Sequence, residues 1–334
     1  MSNSASNGSG LNRRRFIKVC AAGIAGLAIQ PAFAMSAPTL HRWSGIALGA
    51  KAEINLLHDD PAKAQDLFRT VRAEIRRLES IFSLYRTDSE LARLNETGRL
   101  IGPSLDMLEL MATVRRIYDL TEGAFDPTVQ PLWAYYAERR DDAKELDRAL
   151  AKTGLNNVRV DTGEITYLKS GMAMTLNGIA QGYITDQVSQ LLKSHGCSDI
   201  VVDLGEISVS GDQSAGSGNA THGWPVTLRP DPSLASAQVK VQLTDKAVAS
   251  SARKGTTFDD DGFQSHIIDP GTGLPVQNDL RAASVISNTA AVADGLSTAA
   301  LVSGEKILVS ALAQQPDTEM FVVRDSGQTD WLRA

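Results

Sequence analysis

The stretch GIAQGYITDQVSQLLKSHGCSDIVVDL, residues 178–204, marks the point at which the sequence changes from helical to strand-like character. Residues 178–194 have the pattern of a strong helix, and Gly196 just past their end is typical of a helix C-cap. The short apolar run over residues 200–204 then predicts a strand. We therefore expect helices to dominate before this stretch and strands to dominate after it.

The sequence before residue 178 predicts one strand pair and three further helices. Apolar residues at three- and four-residue steps, such as Leu67, Val71 and Ile75, indicate an amphipathic helix. Asp59 or Asp60 before Pro61 is a plausible N-cap for that helix. The predicted elements are a strand pair over residues 42–57 and helices over residues 61–81, 104–120 and 141–152.

The sequence after residue 204 predicts mainly strands, preceded by a loop of small polar residues at 211–223. The predicted elements are strands near Val226, Val239 and Val248, a strand over residues 282–287 and a helix over residues 288–302. Because helices and strands are segregated along the chain, the predicted fold class is α+β. The sequence has no internal repeat and no clean linker, so we expect one domain over residues 35–334 with two intimately packed lobes.

The first 34 residues have the pattern of an export signal. The run RRRFIK at residues 13–18 matches the motif that the twin-arginine machinery recognises. The apolar run that follows, residues 19–29, is 11 residues long, whereas a bilayer span needs about 20. Residues 32–34 (AFA) supply a small-x-small cleavage site. We predict that residues 1–34 are a twin-arginine signal peptide and that the protein works in the periplasm; an uncleaved N-terminal anchor is the alternative.

The remaining chain is acidic. Cleavage after residue 34 would remove four basic and no acidic residues, which leaves 29 basic against 39 acidic residues and a formal charge of −10. This charge argues against a nucleic-acid partner, whose binding surface would be basic. Cys197 is the single cysteine beyond residue 34, so no disulfide can form within that part of the chain. No later apolar stretch has transmembrane length, and we expect no transmembrane segment in the mature chain.

Two clusters of candidate site residues lie at helix ends. In residues 123–129 (GAFDPTV), the proline holds Asp126 extended, although a helix-ending turn is the alternative interpretation. In residues 176–183 (LNGIAQGY), Gly178 and Gly182 each cost about 1 kcal/mol in a helix relative to Ala. A close ligand or an outward backbone carbonyl would explain that cost, and helix N-termini favour phosphate. A helix packing contact is the alternative for the two glycines.

Two further clusters lie near the C-terminus. Residues 265–273 (SHIIDPGTG) place His266 on a strand-like run before a tight turn; a lone histidine is more often structural. In residues 293–298 (ADGLST), Asp294 and Thr298 are four apart on a predicted helix and share one face. A carboxylate with a hydroxyl suits Mg²⁺ rather than zinc. An N-capping Asp with a Thr bonded back to the helix is the alternative.

In this order the motifs resemble the ApbE family of FAD:protein FMN transferases. The resemblance rests on GAFDPTV, LNGIAQGY, VDLGE (202–206), AVASS (247–251), SHIIDPGTG and ADGLSTAA (293–300), and it extends from about Trp43 to Gly304. The histidine-containing motif is the most specific of them. The twin-arginine leader and the VDLGE variant are further similar to NosX-type members, which attach flavin to the membrane protein NosR of nitrous oxide respiration.

The resemblance implies a T-fold-like α+β architecture whose two lobes enclose a flavin cleft. It implies Mg²⁺-dependent transfer of FMN from FAD, through a phosphoester bond, to a Thr or Ser of an exported or membrane-bound, NosR-like acceptor, with release of AMP. Asp294, Thr298 and the carbonyl of Gly178 would hold the metal, and His266 would activate the acceptor hydroxyl. The residues expected at FAD are Ser83, Tyr85, Ala124, Phe125, Asp126, Thr175, Gln181, His266 and Ile268.

Three positions depart from the family pattern. Gln181 stands where many relatives have Lys, which implies one positive charge fewer near the phosphates. Residues 47–50 (ALGA) replace a T-M-G-T motif, and Gly205-Glu206 replaces a double glycine. We expect the last two departures to affect flavin packing more than chemistry. Two alternative functions remain open: an FAD pyrophosphatase that yields FMN and AMP, and a non-catalytic periplasmic flavin carrier or assembly factor for a respiratory complex.

Overall fold

A computed structural model describes residues 39–212, 222–231, 233–234, 237–259 and 264–333. These residues belong to one compact unit that spans Ala37–Ala334. The predicted signal peptide at residues 1–34 and most of the loop predicted over residues 211–223 lie outside the described residues. None of the described helices is both long and apolar enough to cross a membrane.

The described residues form eight α-helices and thirteen strands. The helices are α1 Pro61–Phe82, α2 Glu90–Thr97, α3 Leu105–Leu120, α4 Gln130–Ala137, α5 Ala143–Leu150, α6 Ala180–Ser194, α7 Ala290–Ser303 and α8 Glu305–Ala313. The strands are β1 Thr39–Ala47, β2 Ala50–His58, β3 Arg99–Ile101, β4 Val158–Val160, β5 Glu164–Tyr167, β6 Ile200–Asp203, β7 Ile207–Ser210, β8 Trp224–Leu228, β9 Val239–Leu243, β10 Lys246–Ala252, β11 Leu280–Ser287, β12 Glu319–Arg324 and β13 Thr329–Leu332. Short 3₁₀ helices cover Pro127–Val129 and Leu155–Asn157.

An eight-stranded sheet in the order β1-β2-β6-β7-β10-β11-β12-β13 forms the centre of the fold. Every neighbouring pair in it is antiparallel. The N-terminal hairpin β1-β2 joins the later strands through β2 and β6, where Ile54 lies opposite Val202. The sheet therefore combines strands from both ends of the described sequence.

The two faces of this sheet are covered by different elements. Along β12, Met320 and Val322 pack into the core that contains α1, α6 and α7, whereas Phe321 and Val323 pack against the β8-β9 hairpin. Side chains of a strand alternate between faces, so a continuous apolar strand indicates a sheet covered on both sides. Helix α7 lies directly against β10 and β11, with α6 packed on α7.

Helices α2 to α5 and the small sheet β3-β5-β4 form a second lobe between α1 and α6 in the sequence. Part of this lobe has its own apolar cluster, in which Leu132, Tyr135 and Ala149 pack with Ile268 from the sheet-based lobe. Residues 124–133 of the second lobe and residues 265–275 of the sheet-based lobe both contribute to this cluster or to the cavity beside it. The contact between the two lobes is therefore part of the packed interior.

The structure confirms the α+β class and every helix and strand predicted in the described part of the chain. Asp60, rather than Asp59, caps α1 by accepting the N–H groups of Ala62 and Lys63. Helix α6 begins at Ala180, two residues later than predicted, and Gly196 follows its end with φ of 84°. The predicted segregation of helices from strands is incomplete, because the hairpin β1-β2 belongs to the main sheet.

Candidate functional site

A cavity of about 650 Å³ lies where the two lobes meet. Its wall combines the segment after α3, the start of α6, the end of β10, the turn that carries His266, and one face of α7. Its volume is within the range of about 300–1,000 Å³ that is typical of small-molecule sites. Eleven of the twelve predicted site residues line it: Tyr85, Ala124, Phe125, Asp126, Thr175, Gly178, Gln181, His266, Ile268, Asp294 and Thr298.

Ser83 is the predicted site residue that does not line the cavity. Its hydroxyl accepts the backbone N–H groups of Tyr85 (3.2 Å) and Arg86 (3.3 Å). Its carbonyl accepts the hydroxyl of Ser89 at 2.6 Å. Ser83 therefore shapes the loop that presents Tyr85, whose ring is 83% exposed at the cavity rim.

Asp294 lies on α7 with its carboxylate buried beneath the cavity. Its Oδ2 accepts the backbone N–H of Gly182 at 3.2 Å. Gly178 precedes Ile179, the N-cap of α6, so its carbonyl lies outside the hydrogen-bond ladder of that helix, and the first-turn N–H of Gly182 bonds to Asp294 instead. The N-cap of α7 is Thr289, so the alternative reading of Asp294 as a helix cap is wrong.

Thr298 lies one turn after Asp294 and faces the same cavity. A Cβ placed on Gly178 would come within 3.0 Å of the Thr298 hydroxyl oxygen, so Thr298 packs closely against Gly178. The hydroxyl of Ser251, at the end of β10, lies 3.4 Å from that of Thr298. The structure therefore brings together the three residues predicted to hold a metal, although they are far apart in sequence.

The close packing of α6 on α7 positions this group. A Cβ on Gly182 would lie 2.4 Å from the carbonyl oxygen of Ala290, so only glycine allows the two helices to approach this far. Asp186, one turn later on α6, accepts the N–H groups of Ala290 (2.7 Å) and Ala291 (2.9 Å) at the start of α7. These contacts fix the register of α7 and hence the position of Asp294. No local pattern in the sequence connects Asp186 with residues 290–291, so the sequence does not predict this contact.

Glu206 is a second buried carboxylate in the cavity wall, and it is 7% exposed. Its Oε2 accepts the backbone N–H of Ser250 at 3.2 Å. Burial and the nearby charge of Asp294 raise the pKa of Glu206 well above its usual value, and burial likewise raises the pKa of Asp294. Glu206 departs from the family pattern at a position expected to affect flavin packing. The structure places its carboxylate beside Asp294.

His266 faces the cavity from the turn after residue 264. Its Nδ1 lies 2.7 Å from the carbonyl oxygen of Thr256. Since a carbonyl can only accept, Nδ1 carries the proton and Nε2 keeps its lone pair. Burial lowers the pKa of the imidazole below its ordinary 6.5, which favours the neutral ring at neutral pH. The geometry gives His266 the form of a general base.

Asp126 has a positioning role in the cavity wall. Its backbone is extended, with φ of −134° and ψ of 110°, as the following proline predicts. Its carboxylate accepts the N–H (2.8 Å) and hydroxyl (2.6 Å) of Thr128 and the N–H of Leu155 (3.0 Å). Burial nevertheless raises its pKa. With its oxygens engaged in this way, Asp126 fixes the segment that presents Ala124 and Phe125 to the cavity.

Gln181 lies in the cavity wall against the turn that carries Glu206. A Cβ on Gly205 would come within 2.8 Å of the Gln181 Nε2 atom, and Gly205 has φ of 107°, which side chains rarely adopt. The neutral amide at this position leaves Arg229 as the one permanently charged basic residue among the described residues that line the cavity. Asp126, Glu206 and Asp294 line the same space.

The donor set around Asp294 fits a hard divalent cation. Asp294 and Glu206 are more than nine-tenths buried, and no ion pair among the described residues neutralises either of them. Buried charges are costly unless they are paired or bind a metal. The carboxylate, hydroxyl and carbonyl oxygens here are the ligands that Mg²⁺ prefers. No group of three or more His, Cys, Asp or Glu residues suited to a metal occurs within the described ranges, and the predicted set requires none.

Comparison with known proteins connects this cavity with a family. The sequence profile described as the ApbE family matches residues 48–322. A curated relative from Vibrio cholerae serotype O1, named FAD:protein FMN transferase, is 32% identical over 276 residues, which cover 78% of this chain and 81% of the relative. The protein of the same name from Haemophilus influenzae is 28% identical, with 78% of this chain and 80% of the relative covered.

Solved structures show the same architecture. The flavin transferase ApbE from Vibrio cholerae aligns with a TM-score of 0.76 and 28% identity, and the alignment covers 88% of this chain and 96% of that one. The apo form of the flavinyl transferase ApbE from Pseudomonas stutzeri has a TM-score of 0.76 and 26% identity, with 88% and 95% covered. The match of sequence profile, relatives and fold, over most of the described residues, shows that this chain belongs to the ApbE family.

Proposed function

We propose that this protein transfers FMN from FAD to a Thr or Ser hydroxyl of an acceptor protein, forming a phosphoester bond and releasing AMP, with Mg²⁺ as the required cation. The chain is an enzyme of the transferase class, like the relatives named FAD:protein FMN transferase. One observation carries the finer proposal. A neutral histidine and a group of oxygen ligands suited to a cation line a single cavity of ligand size.

The reaction needs a base for the acceptor. A Thr or Ser hydroxyl is a weak nucleophile at neutral pH and requires a proton acceptor within hydrogen-bond reach. His266 Nε2 would take the hydroxyl proton as the hydroxyl oxygen bonds to the phosphorus on the FMN side. The bond from that phosphorus to the bridging oxygen breaks, and AMP leaves with this oxygen. The Thr256 carbonyl holds the imidazole in the required tautomer and supports the imidazolium that forms.

Asp294, Thr298 and the carbonyl of Gly178 would hold the cation beside the diphosphate. When bound, a divalent cation offsets the negative charge on the diphosphate oxygens and on the departing phosphate. The chain's own contribution is rigid placement. The hydrogen bond from Gly182 and the contact between Gly178 and Thr298 fix the oxygens in one position relative to α6 and α7.

The test is incubation of the protein with FAD, Mg²⁺ and a flavin-acceptor domain. We expect a covalently fluorescent acceptor and one AMP for each flavin attached, and neither product after treatment with EDTA. Rapid AMP release without acceptor would instead identify an FAD pyrophosphatase. FAD that stays bound after EDTA treatment and after Asp294→Ala, without turnover, would identify a flavin carrier or assembly factor.

We further propose that the acceptor is an exported or membrane-bound protein, similar to NosR, that presents its hydroxyl in the periplasm. The support is the twin-arginine pattern at residues 13–18 and the cleavage pattern at residues 32–34. Cell fractionation tests this proposal: we expect the shortened protein in the periplasm. Replacing both Arg13 and Arg14 by Lys should retain the unprocessed chain in the cytoplasm.

A further inference from the structure

We propose that Glu206 is a second carboxylate of the cation site, which lets that site bind a divalent cation before FAD arrives. This inference rests on the proposed function, because it concerns the cation held by Asp294, Thr298 and Gly178. It adds an anionic ligand from another part of the sheet-based lobe. The chemical class of the ligand is a hard divalent cation such as Mg²⁺ or Mn²⁺.

Helix α6 places Glu206 and Asp294 side by side. The N–H of Gly182 donates to Asp294 Oδ2 at 3.2 Å, and the hydroxyl of Thr185, on the next turn, donates to the carbonyl of Glu206 at 3.3 Å. Residues three apart on a helix lie on one face. One face of α6 therefore contacts both the backbone of Glu206 and the carboxylate of Asp294.

The carboxylate of Glu206 is linked to Thr298 through β10. Ser250 donates its N–H to Glu206 Oε2 at 3.2 Å. The next residue, Ser251, has its hydroxyl 3.4 Å from that of Thr298. The carboxylate of Glu206 is thus linked to Thr298 through β10, and the backbone of Glu206 is linked to Asp294 through α6. All four side chains, those of Glu206, Ser251, Asp294 and Thr298, line one cavity.

A second carboxylate would let the site bind the cation before FAD binds. A Mg²⁺ site with one carboxylate usually depends on the substrate's phosphates to complete its ligands. With Glu206 and Asp294 both buried and neither in an ion pair among the described residues, the site offers two carboxyl groups that would be ionised when a divalent cation binds. The protein alone therefore supplies enough charge and enough oxygens to hold the cation.

The experiment measures binding of Mn²⁺ to the full chain without FAD or acceptor, by the loss of the free Mn²⁺ EPR signal. We expect one site in the wild type. Glu206→Gln keeps an oxygen for the Ser250 N–H but removes the charge, and we expect its affinity for Mn²⁺ to fall at least about tenfold. Adding FAD should restore most of the affinity, because the diphosphate then supplies the missing oxygens.

Asp203→Asn is the matched control. Asp203 lies three residues earlier, accepts the N–H of Gly205 at 3.2 Å, and is outside the cavity wall, so the variant removes the same charge without removing a ligand. We expect its Mn²⁺ affinity to stay within about threefold of the wild type. Equal affinity of Glu206→Gln and wild type, or no Mn²⁺ binding by the wild type without FAD, would overturn the inference. Flavin transfer by the wild type is measured separately, so failure here leaves the proposed function standing.

A melting experiment separates a ligand role from a merely structural one. In EDTA, removal of one of two adjacent buried charges should raise the melting temperature of Glu206→Gln above that of the wild type. In Mg²⁺, the cation-induced rise in melting temperature should be smaller in the variant. A variant that melts lower in EDTA but keeps the full Mg²⁺-induced rise would contradict the inference, since Glu206 would then serve packing alone.

Discussion

The backbone N–H of Gly182 donates to the carboxylate of Asp294 across 112 residues of sequence, at 3.2 Å. This bond joins α6 to α7 where a Cβ on Gly182 would collide with the backbone of α7. The N–H belongs to the first turn of α6, which begins just after Gly178, the residue whose carbonyl is proposed as a ligand. One hydrogen bond thus connects the packing of two helices with the assembly of the cation site.

Gly182→Ala tests whether that close approach is required. The added Cβ would lie 2.4 Å from the Ala290 oxygen and 2.7 Å from the Ala291 Cα, and both are backbone atoms that cannot rotate away. We expect the helices to move apart, with a loss of about 1–3 kcal/mol in the free energy of unfolding. Flavin transfer should fall as well, because Asp294 and Thr298 move with α7. Urea unfolding and the transfer assay provide the two measurements.

Gly163→Ala is the control for this variant. A Cβ at Gly163 has no heavy atom within 4 Å, and its φ is not in the left-handed region. We expect a change in stability below about 0.5 kcal/mol and unchanged transfer. If Gly182→Ala behaved like Gly163→Ala, the helices would not be in the contact described.

Gly178→Ala tests whether crowding at the cation site weakens Mg²⁺ binding without a large loss of stability. The new Cβ would stand 3.0 Å from the Thr298 hydroxyl oxygen and 3.5 Å from Phe125 Cε2, which a small shift of side chains can relieve. We expect a loss of stability of about 1 kcal/mol or less, but a rise of at least about tenfold in the Mg²⁺ concentration needed for half-maximal transfer. A large loss of stability with an unchanged Mg²⁺ requirement would contradict the placement of Gly178 at the cation.

The sequence predicted the long helices, because these depend on local patterns. Asp60 as the cap of α1, and α7 with Asp294 and Thr298 on one face, follow from residues close together in the chain. The motifs around Phe125, Gly178 and His266 could be assembled only through a family resemblance, since spacing alone does not show that they share a cavity.

The features that the sequence did not predict depend on contacts between elements that are far apart in the chain. The link between β2 and β6 that brings the N-terminal hairpin into the main sheet has no local signal. Asp186 resembles any acidic residue on a helix until α7 is placed against it. Glu206 differs from the family pattern, but its role follows only from the packing of α6 and β10 beside Asp294. The sequence shows which residues are charged, but it does not show which other charged residues lie beside them in the fold.

Asp294→Asn tests the cation requirement. The amide can still accept the Gly182 N–H but carries no charge, so the fold should persist while the cation loses an anionic ligand. We expect the Mg²⁺ concentration for half-maximal transfer to rise about 10- to 100-fold. Asp126→Asn is the comparison, because its carboxylate lines the same cavity but is engaged by Thr128 and Leu155. Asp126→Asn should lose about 1–3 kcal/mol in the free energy of unfolding and keep its Mg²⁺ requirement. If the Mg²⁺ concentration for half-maximal transfer rose equally in both variants, Asp294 would not be a ligand of the cation.

His266 predicts the pH dependence of transfer. Because burial lowers the pKa of the imidazole below 6.5, the ring stays neutral, with Nε2 free, at and above that pH. As the pH falls through the lowered pKa, the ring gains a proton and can no longer accept one from the acceptor hydroxyl. With saturating Mg²⁺ we therefore expect kcat/KM to be constant near neutral pH and to decline only below pH 6.5. His266→Gln removes the base, and transfer should fall about 10²- to 10⁴-fold. The residual rate of that variant should lack the acidic decline, whereas a decline that survives His266→Gln would assign it to another group, such as the carboxylates of the cation site.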